Sequence, residues 1–249
     1  SYVYARTQAA RDLLPFDGDP RNILRRAQQK YLGSDRSLHL KVEPEFVFVT
    51  AGGKPYDQAS YADTRPRNQG AEIMIEISRA LRSIPIEINV IHHETGPSQQ
   101  EIELDFSPVM KMADSIVLSK NIVKVIAAER GIDATFMPKP FEGVAGNGMH
   151  CHMQLWDGDE NLFAAERNSE ISEAARQFVA GLLKHAPAIT AIANPTINSY
   201  KRLVPGYEAP VYISWGYANR TTLVRVPMFD RPEKAAIEFR SPDPSCNPY

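Results

Sequence analysis

The chain has few cysteines and no long apolar run. Its two cysteines, Cys151 and Cys246, cannot build a disulfide framework. That fits a reducing compartment, and cytoplasmic is the expectation. No stretch is apolar for long enough to span a bilayer, and no secretory leader is visible. Neither sign of charge dominates: 28 Lys and Arg against 30 Asp and Glu leave a net −2. Nothing therefore favours nucleic acid or an anionic membrane as a partner. Walker, Rossmann and nucleophile-elbow motifs are absent too. The remaining composition, 43% apolar and 23% charged over 249 residues, is that of an ordinary globular chain. The first residue is Ser1, and the last three, Asn247-Pro248-Tyr249, form no helix stop or polar tail. A piece of a longer protein is the expectation.

What is present is pattern. Residues 1–20 are a poorly periodic lead-in ending in the turn Asp17-Gly18-Asp19-Pro20, which opens a helix over 21–31. Residues 38–49 alternate as a strand, with Glu43 and Glu45 on one face and Val42, Phe46 and Phe48 on the other. A polar loop over 56–70 leads to a helix over 71–82, a strand over 84–91 and a loop starting at His92-His93-Glu94. The strand over 100–106 puts Glu101, Glu103 and Asp105 on one face. A long helix over 108–130 ends at Gly131, with Met112, Ile116, Ile122, Val123 and Ile126 as core. A short strand follows over 132–137, then a strand after Gly148 with a hairpin turn at Asp157-Gly158-Asp159. A helix over 169–185 restarts as a shorter one at Pro187. A loop rich in turn formers covers 194–208, and strands cover 210–218, 221–226 and 235–241. Such a chain predicts an α+β fold, a curved, mostly antiparallel sheet with flanking helices.

The most suggestive stretch is Gly146-Asn147-Gly148-Met149-His150-Cys151-His152. Alternation places His150, His152, Gln154 and Trp156 on one strand face. Two histidines sharing a face after a glycine turn suit a metal or phosphate site; the ordinary alternative is a solvated polar face. Glu43 and Glu45 repel each other by roughly 1 kcal/mol or more when partly buried, so either a cation sits between them or both face water. Glu101/Glu103 and Glu238/Arg240 occupy strand faces in the same way, and Glu94 joins from a loop. Many carboxylates with one or two histidines suit Mg²⁺ or Mn²⁺. Arg202, Arg220 and Arg225 suit phosphate or carboxylate, which the guanidinium fork binds bidentately. Together this is equipment for phosphoryl transfer.

Longer stretches carry a resemblance. Val42-Glu43-Pro44-Glu45-Phe46, His92-His93-Glu94 through Glu101, Lys139-Pro140-Phe141, Gly148–His152, Asn198 through Pro210, Asn219-Arg220 and Glu238 through Pro244 resemble type I glutamine synthetase, over nearly all of the chain. The resemblance implies a catalytic domain occupying residues 1–249, cut short of the family's N-terminal β-grasp domain and C-terminal helices. It implies one metal on Glu45, Glu94 and Glu101 and a second on Glu43, Glu238 and His150. Glutamate would be gripped by Arg202 and Arg240 with backbone help near Gly146. ATP phosphates would meet Arg220 and Arg225, with His152 near the nucleotide. Glu208 would sit on a flap that closes the site and helps bind and deprotonate ammonium; it and Arg220 are the implied catalytic residues. The implied reaction is an ATP-dependent ligation of glutamate and ammonia through γ-glutamyl phosphate, with two or more Mg²⁺ or Mn²⁺ per site. A homo-oligomer is implied, a dodecamer for a full-length member.

There are departures. The family's Asn-Gly-Ser-Gly turn reads Ala145-Gly146-Asn147-Gly148 here, so the asparagine is replaced by Ala145 or displaced to Asn147. Ala236 stands where a basic residue is frequent, and Met74-Ile75 replaces an Arg-Arg pair. The family's neighbouring subunit supplies an Asp to each site from its N-terminal domain, so the 249 residues alone are expected to show little or no synthetase activity. Two alternatives stand beside the synthetase: a ligase of the same superfamily that joins glutamate to a larger amine, and a non-catalytic structural or regulatory homologue. Retention of all six implied metal ligands argues against the last.

Overall fold

The computed structural model describes residues 7–8, 15–165 and 170–249. Most of the lead-in (1–6 and 9–14) and the expected helix start at Ser169 lie outside the described residues. Helix α1 (Pro20–Tyr31) begins as its sequence dictates: Asp19 caps it by accepting from Arg21 N, and Pro20 occupies the first turn. Strand β1 (Arg36–Val49) is followed by α2 (Ala71–Arg82), β2 (Ile88–His93), β3 (Gln99–Pro108), α3 (Val109–Glu129) and β4 (Asp133–Thr135). Then come β5 (Met149–Asp157), β6 (Glu160–Asn161), α4 (Glu173–Ala193), α5 (Ile197–Arg202), β7 (Trp215–Tyr217), β8 (Val224–Val226) and β9 (Ile237–Phe239).

The strands form one sheet in the order β2-β3-β1-β5-β9-β8-β7, with β4 added to β1 and β6 to β5. All pairings are antiparallel except β7 with β8. The register slips between Leu40 and Val42 and between Ile88 and Val90; such irregularities bend a strand and increase its twist. The apolar face of β1 and β3, with Val42, Phe46, Phe48, Ile102 and Leu104, packs on Ile73, Ile77 and Leu81 of α2 and on Met112, Ile116 and Val123 of α3. A second core joins Met153, Val224, Ile237 and Phe239 to Ala175, Val179 and Ala186 of α4. The opposite face of the central strands is left for polar chemistry.

Several boundaries differ from the sequence expectation. The strand expected over 84–91 starts only at Ile88, because Ser83–Pro85 form a turn after α2 and Pro85 has no N–H for a ladder. His92 and His93 belong to β2 rather than to a loop. Pro187 does not restart a helix. It sits inside α4, whose Val179, Ala186 and Ile189 pack on one core and carry the helix through the missing hydrogen bond. The loop over 194–208 contains α5, nucleated by a reciprocal cap: Thr196 Oγ1 accepts from Ser199 N and Ser199 Oγ from Thr196 N. The strands expected over 132–137, 210–218, 221–226 and 235–241 shorten to the three-residue β4, β7, β8 and β9.

Candidate active site

Strand β1 supplies the centre. Its alternation turns Lys41, Glu43 and Glu45 to the polar face. The register then decides what each carboxylate meets: Glu43 lies across from His150 on β5, and Glu45 across from Glu101 on β3. Glu238, on β9, reaches the same place from beyond β5. Glu94 comes from the turn between β2 and β3. These residues are largely buried, with Glu238 fully so.

Glu43, Glu45, Glu94, Glu101, His150 and Glu238 line one cavity together with Gly146, Arg202, Glu208, Arg220, Arg225 and Arg240. Every site residue expected from the sequence is on its wall except His152. That histidine is buried beneath Glu43, with Nε2 2.8 Å from Glu43 Oε1. The donor atoms of Glu43, His150 and Glu238 converge within 4.8 Å of one another, and so do those of Glu45, Glu101 and His150. Glu94 is turned aside, accepting from Thr95 N and Oγ1.

The donor set fits a hard divalent cation. It is rich in carboxylate oxygen, and burial, then the charge of Arg240, lowers His150 to about 4. The imidazole is therefore neutral near pH 7, the form that ligates metals. Glu238 Oε2 is buried and ion-paired with Arg225 Nε at 2.6 Å.

The carboxylates fall into two electrostatic groups. Burial raises Glu45 well above the usual range, and the charges of Glu101 and Glu94 add to it. Burial likewise raises Glu94. Burial, with the charges of Glu43 and Glu94, pushes Glu101 up to about 7 against its hydrogen bond to His92. Glu43 behaves otherwise: burial would raise it, but the contacts with His150 and His152 outweigh burial and hold it low. For Glu238 burial is overcome by the adjoining His152 and His150 and by the guanidinium charges of Arg240 and Arg225, so it is held below the usual range.

The glycine turn works by close approach rather than by flexibility. A Cβ at Gly148 would stand 2.6 Å from Arg202 Nη2 and 2.9 Å from His150 Nε2. One at Gly146 would meet Pro138 O. At Gly146 the obstacle is backbone and the space admits no methyl group, whereas at Gly148 a methyl would have to displace the ends of two buried side chains. Asn147 lies apart from the cavity. It is fully buried, donates from Nδ2 to Met137 O and accepts from Gln99 Nε2, so it faces away from the cavity, whose wall has Ala145 instead.

The arginines are held from within. Arg202 donates to Ser241 O and Arg240 O. Arg240 donates to Glu238 Oε1 at 2.7 Å and to the backbone oxygen of Glu208, and its buried Nε remains without a partner. Glu208 is exposed, has a left-handed φ of +62°, and accepts from Thr95 Oγ1 at 3.4 Å beside Glu94. Arg220 is exposed at the rim.

Sequence reasoning missed Gln99, a buried residue that ties β1 to two turns. Its Nε2 donates to Glu45 Oε2 and Gly146 O, and its Oε1 accepts from Gly96 N. Gly148 N donates to the same Glu45 oxygen, so Oε1 of Glu45 is left for the cavity. The alternation of β3 contained the signal, since Gln99 shares parity with Glu101 and Glu103. Tyr61 and His92 were missed as well; both line the cavity, their rings packed edge to face at 5.6 Å.

Known proteins give this geometry a place. The family model described as the catalytic domain of glutamine synthetase matches residues 17–249. The glutamine synthetase of Pyrococcus abyssi is 46% identical over all of this chain and 55% of its own length. That of Thermotoga maritima is 45% identical over 94% of this chain and 55% of its own. Among solved structures, Plasmodium falciparum glutamine synthetase superposes with a TM-score of 0.89 at 27% identity, covering 96% of this chain and 54% of that one. GmaS in complex with ADP superposes with a TM-score of 0.86 at 34% identity, covering 96% and 57%. The chain spans about half the length of the curated relatives it matches. With the catalytic-domain model matched from residue 17 to residue 249, the chain belongs to the glutamine synthetase family.

Proposed function

We propose that this chain carries the catalytic surface of an ATP-dependent ligase that joins glutamate to ammonia through γ-glutamyl phosphate. One observation carries the proposal: the Glu43–His150–Glu238 and Glu45–Glu101–His150 clusters share a cavity with Arg202, Arg240 and Glu208. Mg²⁺ or Mn²⁺ held by Glu45, Glu94 and Glu101 and by Glu43, His150 and Glu238 would supply charge neutralisation for in-line phosphoryl transfer. The chain's own residues do the rest. Arg240, with a donor to spare, and Arg202 behind it present guanidinium forks to the amino-acid carboxylate. Arg220 and Arg225 bring positive charge to the phosphates, and His152 braces Glu43 from below. Glu208 stands at the mouth, where its carboxylate attracts ammonium and takes up a proton, and its segment shields the acyl phosphate from water. The relatives' names as glutamine synthetases and the ADP bound in the GmaS neighbour support this reading.

A ligase using a larger amine is the second reading. The observation behind it is Ala145 on the cavity wall with Asn147 turned inward. The relatives are nearly twice as long as this chain. We therefore propose that residues 1–249 form a catalytic domain that needs the rest of such a protein, including its assembly into a homo-oligomer, for full activity.

The test is glutamate-dependent ATP turnover and γ-glutamyl transfer with Mg²⁺ or Mn²⁺, offering ammonium, methylamine and putrescine in parallel, on this chain and on a chain of the relatives' length. Turnover with ammonium supports the first reading, and turnover only with a larger amine supports the second. Absence of metal-dependent turnover in the longer chain refutes both.

A further inference from the structure

The surroundings of Glu43 contain a cation that the proposed chemistry does not use. Lys41 precedes Glu43 by two residues on β1 and therefore faces the same side. Its Nζ lies 2.8 Å from Glu43 Oε1 and 2.9 Å from Glu103 Oε2, with only 15% of the side chain exposed. His152, directly across on β5, touches the same Glu43 oxygen at 2.8 Å. The other oxygen, Oε2, faces His150 Nδ1 at 3.5 Å, and Glu238 Oε1 lies 3.7 Å from that same Nδ1. One oxygen of each carboxylate thus stands beside the histidine, while Lys41 holds the far oxygen of Glu43. The ammonium leaves the converging donors open and adds a fixed positive charge behind them. A like charge a few ångströms from a dication is poorly screened where water is scarce.

We propose that Lys41 is a built-in rival of the divalent cation at the Glu43–His150–Glu238 cluster. Its ammonium lowers the affinity of that cluster and so sets the metal concentration the site requires. The inference rests on the metal-site reading above and adds to it a residue that acts through charge alone.

The experiment is Mn²⁺ titration of the EDTA-stripped chain, followed by the electron paramagnetic resonance of free Mn²⁺, with thermal melting in parallel. Glu238→Gln removes a carboxylate and identifies the binding event that belongs to the cluster. Lys41→Met, close in length and uncharged, is expected to tighten that event about tenfold. Lys41→Arg retains the charge and is expected to stay within about threefold of the parent. A lysine that merely braces Glu43 gives the opposite sign, so weaker or unchanged binding in Lys41→Met overturns the proposal. If Lys41→Met melts early without metal, Lys41→Gln carries the same expectation with a polar side chain. A parent chain with no Mn²⁺ uptake at the cluster refutes the metal reading and this inference together. Uptake that is indifferent to Lys41 refutes only the inference.

Discussion

Glu101 gives the most direct test of the site's electrostatics, because its burial has a price in stability before any metal is bound. The residue is 4% exposed, and the folded-state value of its carboxyl is raised from the usual 4.5 to about 7. The folded chain therefore holds a proton that the unfolded chain has already released. The stabilisation from that proton is complete below pH 4.5 and is lost as the pH climbs through 7. A shift from 4.5 to about 7 corresponds to about 3 kcal/mol at 1.36 kcal/mol per unit. Urea unfolding of the EDTA-treated chain between pH 5 and 8.5 should show wild-type stability falling by that order across the window. Glu101→Gln has no carboxyl to ionise, so its curve should lack this fall, and the variant should be the more stable of the two at pH 8. Saturating Mn²⁺ should flatten the wild-type slope by stabilising ionised Glu101, and should do much less for the variant. Parallel curves for the two metal-free proteins would refute the reasoning.

Three further outcomes are expected. Glu238→Ala should abolish metal-dependent ATP turnover in a chain of the relatives' length and remove one Mn²⁺ binding event; turnover near the wild-type level would exclude Glu238 as a ligand. Arg202→Lys keeps a charge but loses the fork, so the KM for glutamate should rise by about tenfold or more with the KM for ATP little changed. Equal effects on both substrates would count against Arg202 as the glutamate grip. Gly148→Ala places a methyl 2.6 Å from Arg202 Nη2 and 2.9 Å from His150 Nε2; activity and Mn²⁺ affinity should both fall, and unchanged values in both would show that the turn can yield.

Strand alternation alone made most of the donor set legible: Glu43, Glu45, Glu101, His150 and Glu238 are recognisable because a period of two forces each onto one face. The family resemblance supplied the roles of Glu94, Glu208 and Arg220, which lie on turns and loops where no period exists, and those of Arg202 at the end of α5 and Arg225 on β8. What escaped the sequence were residues whose meaning depends on their neighbours in space. Gln99 is one amide among many until β3 lies beside β1 and the glycine turn lies over both. Pro187 reads as a break because its lost hydrogen bond is local, whereas the packing that sustains α4 comes from β8 and β9. The cap of α5 escaped because Ser199 takes the place where Glu or Gln marks such a box.

The register of β1 explains why one strand can serve both donor clusters. Glu43 and Glu45 are two residues apart and share a face, yet they look to different neighbours, Glu43 to His150 on β5 and Glu45 to Glu101 on β3. The clusters are therefore the two flanks of a single strand, and His150, whose nitrogens lie 3.5 Å from Glu43 and 4.0 Å from Glu45, bridges them. Their spacing is fixed by backbone geometry rather than by side-chain flexibility. A one-residue slip of β1 would send both glutamates into the apolar core and bring Val42 and Phe46 to the cavity, at a cost no rotamer could recover. Val42 and Phe46, both fully buried, thus act on the site from the far side of the sheet: by locking the register of β1 they decide where the donor atoms converge.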